Sequence, residues 1–573
     1  MRRPWVARAF RGRVGAVRLA LAAAAFGAYT PAFWWGAPHA TAADRTNAWG
    51  VDDEPPLGPL AQAHDIIRPK PEQNPNLGYP MLHPFMVLGV YAPYVGYLWA
   101  TGELSAPSVA YPHGFRDPVR ALRTLSLLAH LLSVLLGVGT VLAAFEIGRA
   151  LWDDASGAAG AAGVLLMYPM FYYARNSNVD VPVLFFTAAG LAAFAWIVRN
   201  GVSRARALWL SLFVGLAVAT KETAFASFLF VPLVLPFLSH PDRTVPPWRE
   251  ASFWATAALS VVVALGAYAA ASGLVVDFRR WSAHIEFVNT RLAEARSNGV
   301  PWITLYPRTW AGHVGLAGTL TTLLAHTLSW PGLALGVAGV IDAARRSPRQ
   351  ATLALSALGF LVVVFVSSRF GQLRYMLPVA LVVAVFTGRL TIVAWRARPR
   401  PVAWVGLAAS GAAGLTLALW ALDLTHGMLR DARHEAGRWI ASEARPGDVL
   451  EYFGSEHKHP PMPAWLQSQH VVPFLGSMVR PDTTASGVAR VREALADRRP
   501  RFVVLVPDYT SPPGAPHAAS CPPEIYRNLE AGTLAYRRAA LIQTASLLPW
   551  VRRPPLDYPV VNPPIRIYER VGP

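Results

Sequence analysis

The sequence predicts a polytopic α-helical membrane protein of about eleven transmembrane helices, followed by a small C-terminal α/β domain outside the membrane. Three observations predict it. Of 573 residues, 53% are hydrophobic and only 15% charged, and the mean hydropathy is +0.31, too apolar for a soluble chain. Uncharged runs of roughly 17 to 25 residues recur, long enough to cross a hydrocarbon core of about 30 Å as helices. The net charge of +18 lies mainly in arginine-rich links between those runs. That is the positive-inside pattern of membrane topology, so the partner is a lipid bilayer and no nucleic acid is expected.

At the N-terminus, Arg2, Arg3, Arg8, Arg11, Arg13 and Arg18 precede the apolar run 19–35, and Ala40-Thr41-Ala42 resembles a signal-peptide cleavage site. The run is long and ends in Phe33-Trp34-Trp35, an interfacial aromatic belt, so a retained helix is expected. The uncharged runs then place helices at 16–36, 119–149, 156–174, 180–198, 206–220, 222–239, 251–275, 314–341, 351–368, 374–394 and 402–424. The apolar segment 81–100 carries Pro84, Pro93 and glycines, which suit an interfacial or re-entrant helix better than a straight span.

With the arginine-rich terminus inside, the internal loops are 152–154, 199–206, 240–250, 342–349 and 396–400. Four of those five contain arginines, which supports a cytoplasmic N-terminus. Eleven spans leave the C-terminus outside, periplasmic or extracellular. A composition rich in Ala, Arg and Pro points to a bacterial inner membrane. The expected division is a transmembrane catalytic domain over 1–425 and an exported domain over 426–573. In the exported part, a heptad-like stretch at 428–440, strand-like runs at 448–453 and 502–506, and many prolines suggest a small α/β fold. Its last prolines, Pro554, Pro555, Pro559, Pro563 and Pro564, suit extended chain. The single cysteine, Cys521, excludes an intramolecular disulfide.

Chemistry is suggested first by Asp52-Asp53-Glu54, three consecutive carboxylates on the loop after the first helix. They repel one another, so something cationic or protic should meet them. A carboxylate there can take a proton from an acceptor hydroxyl. The trio can equally hold a divalent metal, since hard cations favour clustered oxygens.

A second signal is cationic. On the outer side, where the positive-inside bias disfavours them, stand Arg175, Lys221, Arg369 and Arg374, each in a very short turn. Ionisable groups at membrane depth are costly and usually face the bundle interior with a partner. Asp180 and Glu222 are candidate partners, and a purely structural ion-pair network is the plain reading. The functional reading is a cationic ring that binds an anionic headgroup. Fixed cations beside a leaving phosphate stabilise the charge it gains. Asp52, Asp53 or Glu54 would then supply the base, and Lys221, Arg374 and Arg175 the positive charge.

These strings resemble the GT-C superfamily of membrane glycosyltransferases, in the branch of protein O-mannosyltransferases and lipid A aminoarabinose transferases. Asp53-Glu54 resembles that family's Asp-Glu after the first helix. Gly78-Tyr79-Pro80-Met81-Leu82-His83-Pro84-Phe85 is similar to its following amphipathic segment. Asp180-Val181-Pro182-Val183-Leu184-Phe185-Phe186 looks like its aspartate turn before an apolar helix. Gly215-Leu216-Ala217-Val218-Ala219-Thr220-Lys221 and Arg374-Tyr375-Met376-Leu377-Pro378 match a helix end and a helix start. The resemblance covers most of 16–395. It implies a polyprenyl-phosphate-linked sugar donor, transfer at the outer face to a glycan, lipid or protein acceptor, and inversion at the anomeric carbon. It also implies Asp53 as the catalytic carboxylate, Glu54 as its neighbour and Lys221 as a donor-phosphate contact. Arg374 stands where the family varies between His and Arg. Asp180, Tyr79, His83 and Tyr375 lie inside the matching strings as substrate-contact candidates. Asp52 beside Asp53 leaves a one-residue ambiguity. The sequence names no certain cofactor beyond that metal option.

Outside those strings, Trp49 can stack on a sugar or anchor at the interface. His457-Lys458-His459 is a metal-like pair more simply read as solvated, and His130 is more simply a core histidine bonded to a neighbouring helix. The rival class is a transporter or lipid flippase, which usually shows internal duplication; against it stand the odd helix count, the acidic external loop and the exported tail.

Overall fold

A computed structural model describes residues 4–39, 46–68, 78–108, 110–238, 249–298, 304–397, 400–472, 484–511 and 514–572. These residues are mostly helical, with one small sheet among them near the C-terminus. Among the described residues, six helices are long and apolar enough to cross a membrane. These are Pro118–Leu151, Asp180–Asn200, Ala251–Ala271, Pro348–Ser368, Leu373–Arg396 and Ala403–Glu443. A bent pair, Trp310–Leu328 and Trp330–Arg346, makes a seventh if counted as one span.

That is fewer than the eleven expected: the runs at 16–36 and 206–220 form helices whose apolar stretches are short, Val14–Tyr29 and the 17-residue Arg204–Thr220, and three other runs are interrupted. The run expected at 156–174 stops at Leu165 and resumes only as the short turn Met170–Tyr173. The run at 222–239 breaks into short turns, Glu222–Phe228, Val231–Val234 and Leu235–Leu238. Pro232 and Pro236 lie there, and each removes a helical N–H donor. The expected single helix at 314–341 is two helices meeting at 105°. At the joint Ser329 takes φ +63° and its hydroxyl accepts from Gly332 N–H, capping the second helix. Conversely, Leu82–Ala100 is one continuous helix despite Pro93, and it is not among the six.

The helix Pro118–Leu151 organises the body. Asp117 caps it by accepting from Arg120 N–H, and Pro118 sits at its first turn. Its 34 residues make a rod of about 50 Å, well beyond a bilayer core of about 30 Å. It packs against the helices Asp180–Asn200, Asp154–Leu165 and Pro4–Tyr29. Glycines bring three helices to backbone contact: a Cβ on Gly148 would lie 2.7 Å from Gly157 Cα, and one on Gly388 would lie 2.1 Å from Gly160 N. Small residues allow that approach where no hydrophobic effect drives helices together.

The C-terminal sheet has five strands: β1 (Val449–Phe453), β2 (Gln467–His470), β3 (Phe502–Leu505), β4 (Tyr536–Ile542) and β5 (Ile565–Arg570). Their order is β2-β1-β3-β5-β4, parallel across the first three and antiparallel across the last three. Phe502 and Val504 face a core with Ala436 and Ile440 of the helix Ala432–Glu443. Val503 and Leu505 face the opposite core, with Val491 of the helix Ala485–Arg498 and Ile525 of Pro523–Glu530. Both faces are covered, which is why β3 reads as an unbroken apolar run rather than an alternating one. Between β4 and β5, residues 543–564 run without helix or strand and lay Arg553, Asp557 and Tyr558 back onto the helical body.

Candidate active site

The loop after the first helix is held from three sides. Lys458 Nζ donates to the carbonyls of Ala48 (3.1 Å), Trp49 (2.8 Å) and Gly50 (2.8 Å). Val51 N–H donates to the Tyr172 hydroxyl at 3.2 Å, and Glu54 N–H donates to Ser177 Oγ at 2.9 Å. The three carboxylates of this fixed loop then turn to three different partners.

Asp53 turns inward. Its Oδ1 accepts from Ser177 N–H at 2.8 Å and from the Ser177 hydroxyl. Its Oδ2 lies 3.0 Å from His130 Nε2, while His130 Nδ1 lies 2.7 Å from the Phe33 carbonyl. A neutral imidazole has one N–H, so two flanking acceptors need one further proton shared by the Asp53–His130 pair. Burial opposes ionisation of Asp53, but His130 and the Ser177 hydrogen bonds outweigh it and hold the carboxyl below its usual range.

Glu54 is buried, with Oε2 3.8 Å from His83 Nδ1. Its Oε1 and both His83 nitrogens have no hydrogen-bond partner among the described residues. Burial first, and the Asp53 charge second, push Glu54 up to about 8. A carboxyl raised in the folded state from an ordinary 4.5 gives stability that is full below about 4.5 and is lost as pH rises through about 8. Glu54→Gln, which cannot ionise, is expected to flatten that alkaline decline; a melting-temperature profile from pH 5 to 9 checks it.

Asp52 points the other way, into a cluster of charges. Its φ is +55°, a left-handed conformation that Asp tolerates better than most residues. Its carboxylate pairs with Arg374 Nη1. Partial loss of water around it would raise its pKa; the Arg374 guanidinium, with Lys221 and Lys458 further off, holds it below the ordinary value. Arg374 lies in the turn Leu373–Met376, just before the helix Leu377–Arg396. It also donates to Gln372 Oε1 (3.1 Å) and Tyr558 OH (3.4 Å), and stands 3.9 Å from Asp180 Oδ2. Asp180 opens the helix Asp180–Asn200, where the helix dipole favours a carboxylate. Lys221, at the end of Arg204–Thr220, donates to Asp180 Oδ1 at 2.6 Å. Its ammonium lies 4.5 Å from the Tyr375 ring centre and 5.4 Å from that of Tyr79. A narrow cleft between these groups is lined by Asp180, Lys221, Thr223, Phe360, Arg374 and Tyr375.

The structure therefore brings Asp52, Asp180, Lys221, Arg374, Tyr79 and Tyr375 into one cluster, with Asp53, Glu54 and His83 on the adjoining face. Arg175 is not part of it. The residue is 1% exposed, and its guanidinium donates to the Ala28 and Tyr29 carbonyls and to Thr425 Oγ1. Those are end-of-helix carbonyls that lack intrahelical partners, so the arginine caps the first helix instead of facing an anion. Arg369 is spent the same way, on the carbonyls of Tyr306, Phe365 and Pro307. Among the described residues no group of three or more His, Cys, Asp or Glu is arranged to hold a metal ion. Trp49 is buried beneath the Arg433 guanidinium, 4.5 Å from its ring centre, and not open to a sugar.

Sequence reading missed Ser177, Asp557 and Tyr558, and missed that the partner of His130 is Asp53. Ser177 lies between Arg175 and Asp180, two residues already singled out, and His130 is a polar residue in an apolar span. For the tail residues no local signal exists: Asp557 accepts from the backbone N–H groups of Leu373 (2.6 Å) and Arg374 (3.2 Å) across 184 and 183 residues of chain.

No protein-family model matches the chain, and no curated protein sequence matches it. Among solved structures, the chain is similar to ArnT from Cupriavidus metallidurans bound to undecaprenyl phosphate, at 13% identity over 98% of each chain, with a TM-score of 0.48. It is also similar to the oligosaccharyltransferase AglB from Archaeoglobus fulgidus in complex with an inhibitory peptide and a dolichol-phosphate. There identity is 12%, over 86% of this chain and 69% of that one, with a TM-score of 0.47. The arabinofuranosyltransferase AftD from Mycobacteria is 15% identical over 90% of this chain and 41% of its own, with a TM-score of 0.35.

Proposed function

We propose that this chain is an inverting glycosyltransferase of the GT-C type, taking a sugar from a polyprenyl-phosphate-linked donor to an acceptor hydroxyl at the outer face of the membrane. The observation that carries the reading is a carboxylate loop set against a cleft lined by Lys221 and Arg374, with Asp52 on the cleft and the neighbouring Asp53 oriented by His130 and Ser177. The acceptor hydroxyl gives its proton to Asp53 as its oxygen bonds to the anomeric carbon. The bond from that carbon to the phosphate oxygen breaks on the opposite side, and its electron pair stays with the phosphate. Lys221 and Arg374 stabilise the charge gained there. His130 and Ser177 hold Asp53 in line, which is a positioning role.

Residues 1–425 carry this chemistry in our reading, and 426–573 form the exported domain. The arginine-rich links favour a cytoplasmic N-terminus in a bacterial inner membrane, with the tail periplasmic. The acceptor is a glycan, lipid or protein hydroxyl.

The test is transfer of labelled sugar from a panel of polyprenyl-phosphate donors in membranes, comparing wild type with Lys221→Met. Transfer by wild type and a loss of at least about 10²-fold in the variant is expected, the scale of removing one charge-stabilising donor. Movement of labelled lipid across the bilayer without transfer would instead make the chain a flippase.

A further inference from the structure

An anion site whose cations are already neutralised is unusual, and here both are. Lys221 carries Asp180, and Arg374 carries Asp52. The two carboxylates differ in how they are held. Asp180 is 3% exposed at a helix start, with Asn178 Oδ1 bonded to its backbone N–H at 2.7 Å. The Asp52 side chain is 36% exposed, and among the described residues Arg374 is the only group that bonds to it. Backbone on either side of it is anchored independently, at Val51 by Tyr172 and at Glu54 by Ser177. Swinging the Asp52 carboxylate away therefore takes a side-chain rotation and no loop movement. Arg374 would stay in place, because Gln372 and Tyr558 still accept from it and Asp557 still holds its backbone N–H.

We infer that Asp52 is a built-in stand-in for the lipid phosphate: it pairs with Arg374, yields it to the donor phosphate, and retakes it to expel the product. This rests on the donor reading above. The charge balance gives the device a purpose. A sugar phosphodiester carries about one negative charge, whereas a phosphate monoester carries about 1.5 to 2 at neutral pH. The product thus grips Lys221 and Arg374 more tightly than the substrate did, and release of a tightly held product can limit turnover. A tethered carboxylate competing for Arg374 lowers that grip without entering the chemical step.

The test is equilibrium binding of undecaprenyl phosphate to the full chain in lipid nanodiscs, with unphosphorylated undecaprenol as the reference ligand. Asp52→Asn is suited to it, because asparagine tolerates the left-handed backbone of position 52 and the variant should fold. Asp52→Asn is expected to bind the phosphate about fivefold more tightly, the scale of one competing, partly exposed ion pair, and to leave undecaprenol binding unchanged. In an Arg374→Met background the same substitution should have no effect, since the contested cation is gone. Unchanged or weaker phosphate binding by a folded Asp52→Asn overturns the inference. Equal tightening with and without Arg374 also overturns it, since the effect would then be general repulsion. Failure of every chain, wild type included, to bind undecaprenyl phosphate overturns the donor reading and the stand-in together.

Discussion

Asp53→Asn is expected to cut sugar transfer by about 10²- to 10⁴-fold, the usual contribution of a positioned general base, with polyprenyl-phosphate binding near the wild-type level. The substitution preserves shape and leaves an amide oxygen to accept from Ser177, but it removes the group that takes the acceptor proton. Lipid binding should survive because Lys221 and Arg374 bond to Asp180 and Asp52, not to Asp53. Single-turnover transfer with a saturating donor isolates the chemical step from product release and so separates Asp53 from Asp52. Retained single-turnover activity in a folded Asp53→Asn variant would move the base to another carboxylate of the trio.

The largest stability effect is expected at Arg433. This arginine and its partner Asp431 both have fully buried side chains, 3.0 Å apart. The guanidinium also donates to the carbonyls of Lys458 (2.8 Å) and Val560 (2.9 Å). Asp431 accepts in addition from Trp35 Nε1 at 3.0 Å and Asn562 N–H at 2.9 Å. One buried ion pair thereby ties the first helix's exit to the C-terminal tail. Arg433→Leu leaves that carboxylate buried without its cation, which costs about 3–5 kcal/mol. Loss of the Lys458 carbonyl's partner should also loosen the Lys458 clamp on residues 48–50, so transfer should fall along with the unfolding midpoint. Thermal melting and limited proteolysis of the tail are the measurements, and Asp431→Asn added to Arg433→Leu should recover part of the loss. A melting point equal to wild type would show that the junction does not depend on this pair.

The contrast between Arg175 and Arg374 shows where sequence reading stops. Both are arginines on short turns on the same side of the expected bundle, and their surroundings in sequence rank them equally. Arg175 is consumed by the carbonyls at the end of the first helix, whereas Arg374 faces a carboxylate. His130 shows the same limit from the other side. A lone histidine in an apolar helix most simply bonds to a neighbour. It does so, but the neighbour is Asp53.

By itself the sequence determined the helical, membrane-suited class, most helix positions to within a few residues, strands β1 and β3, and the short strings that hold Asp53, Asp180, Lys221 and Arg374. Those properties are additive along the chain: hydropathy, periodicity, proline and charge act over one or two dozen residues. Tertiary structure alone decided that the run at 314–341 turns by 105°, that Asp52 and Asp53 face different partners, and that the tail reaches the site. Asp52 and Arg374 stand 322 residues apart, and no local period relates such positions. Their pairing is set by the packing of the helices between them, which closes only when the whole chain is folded.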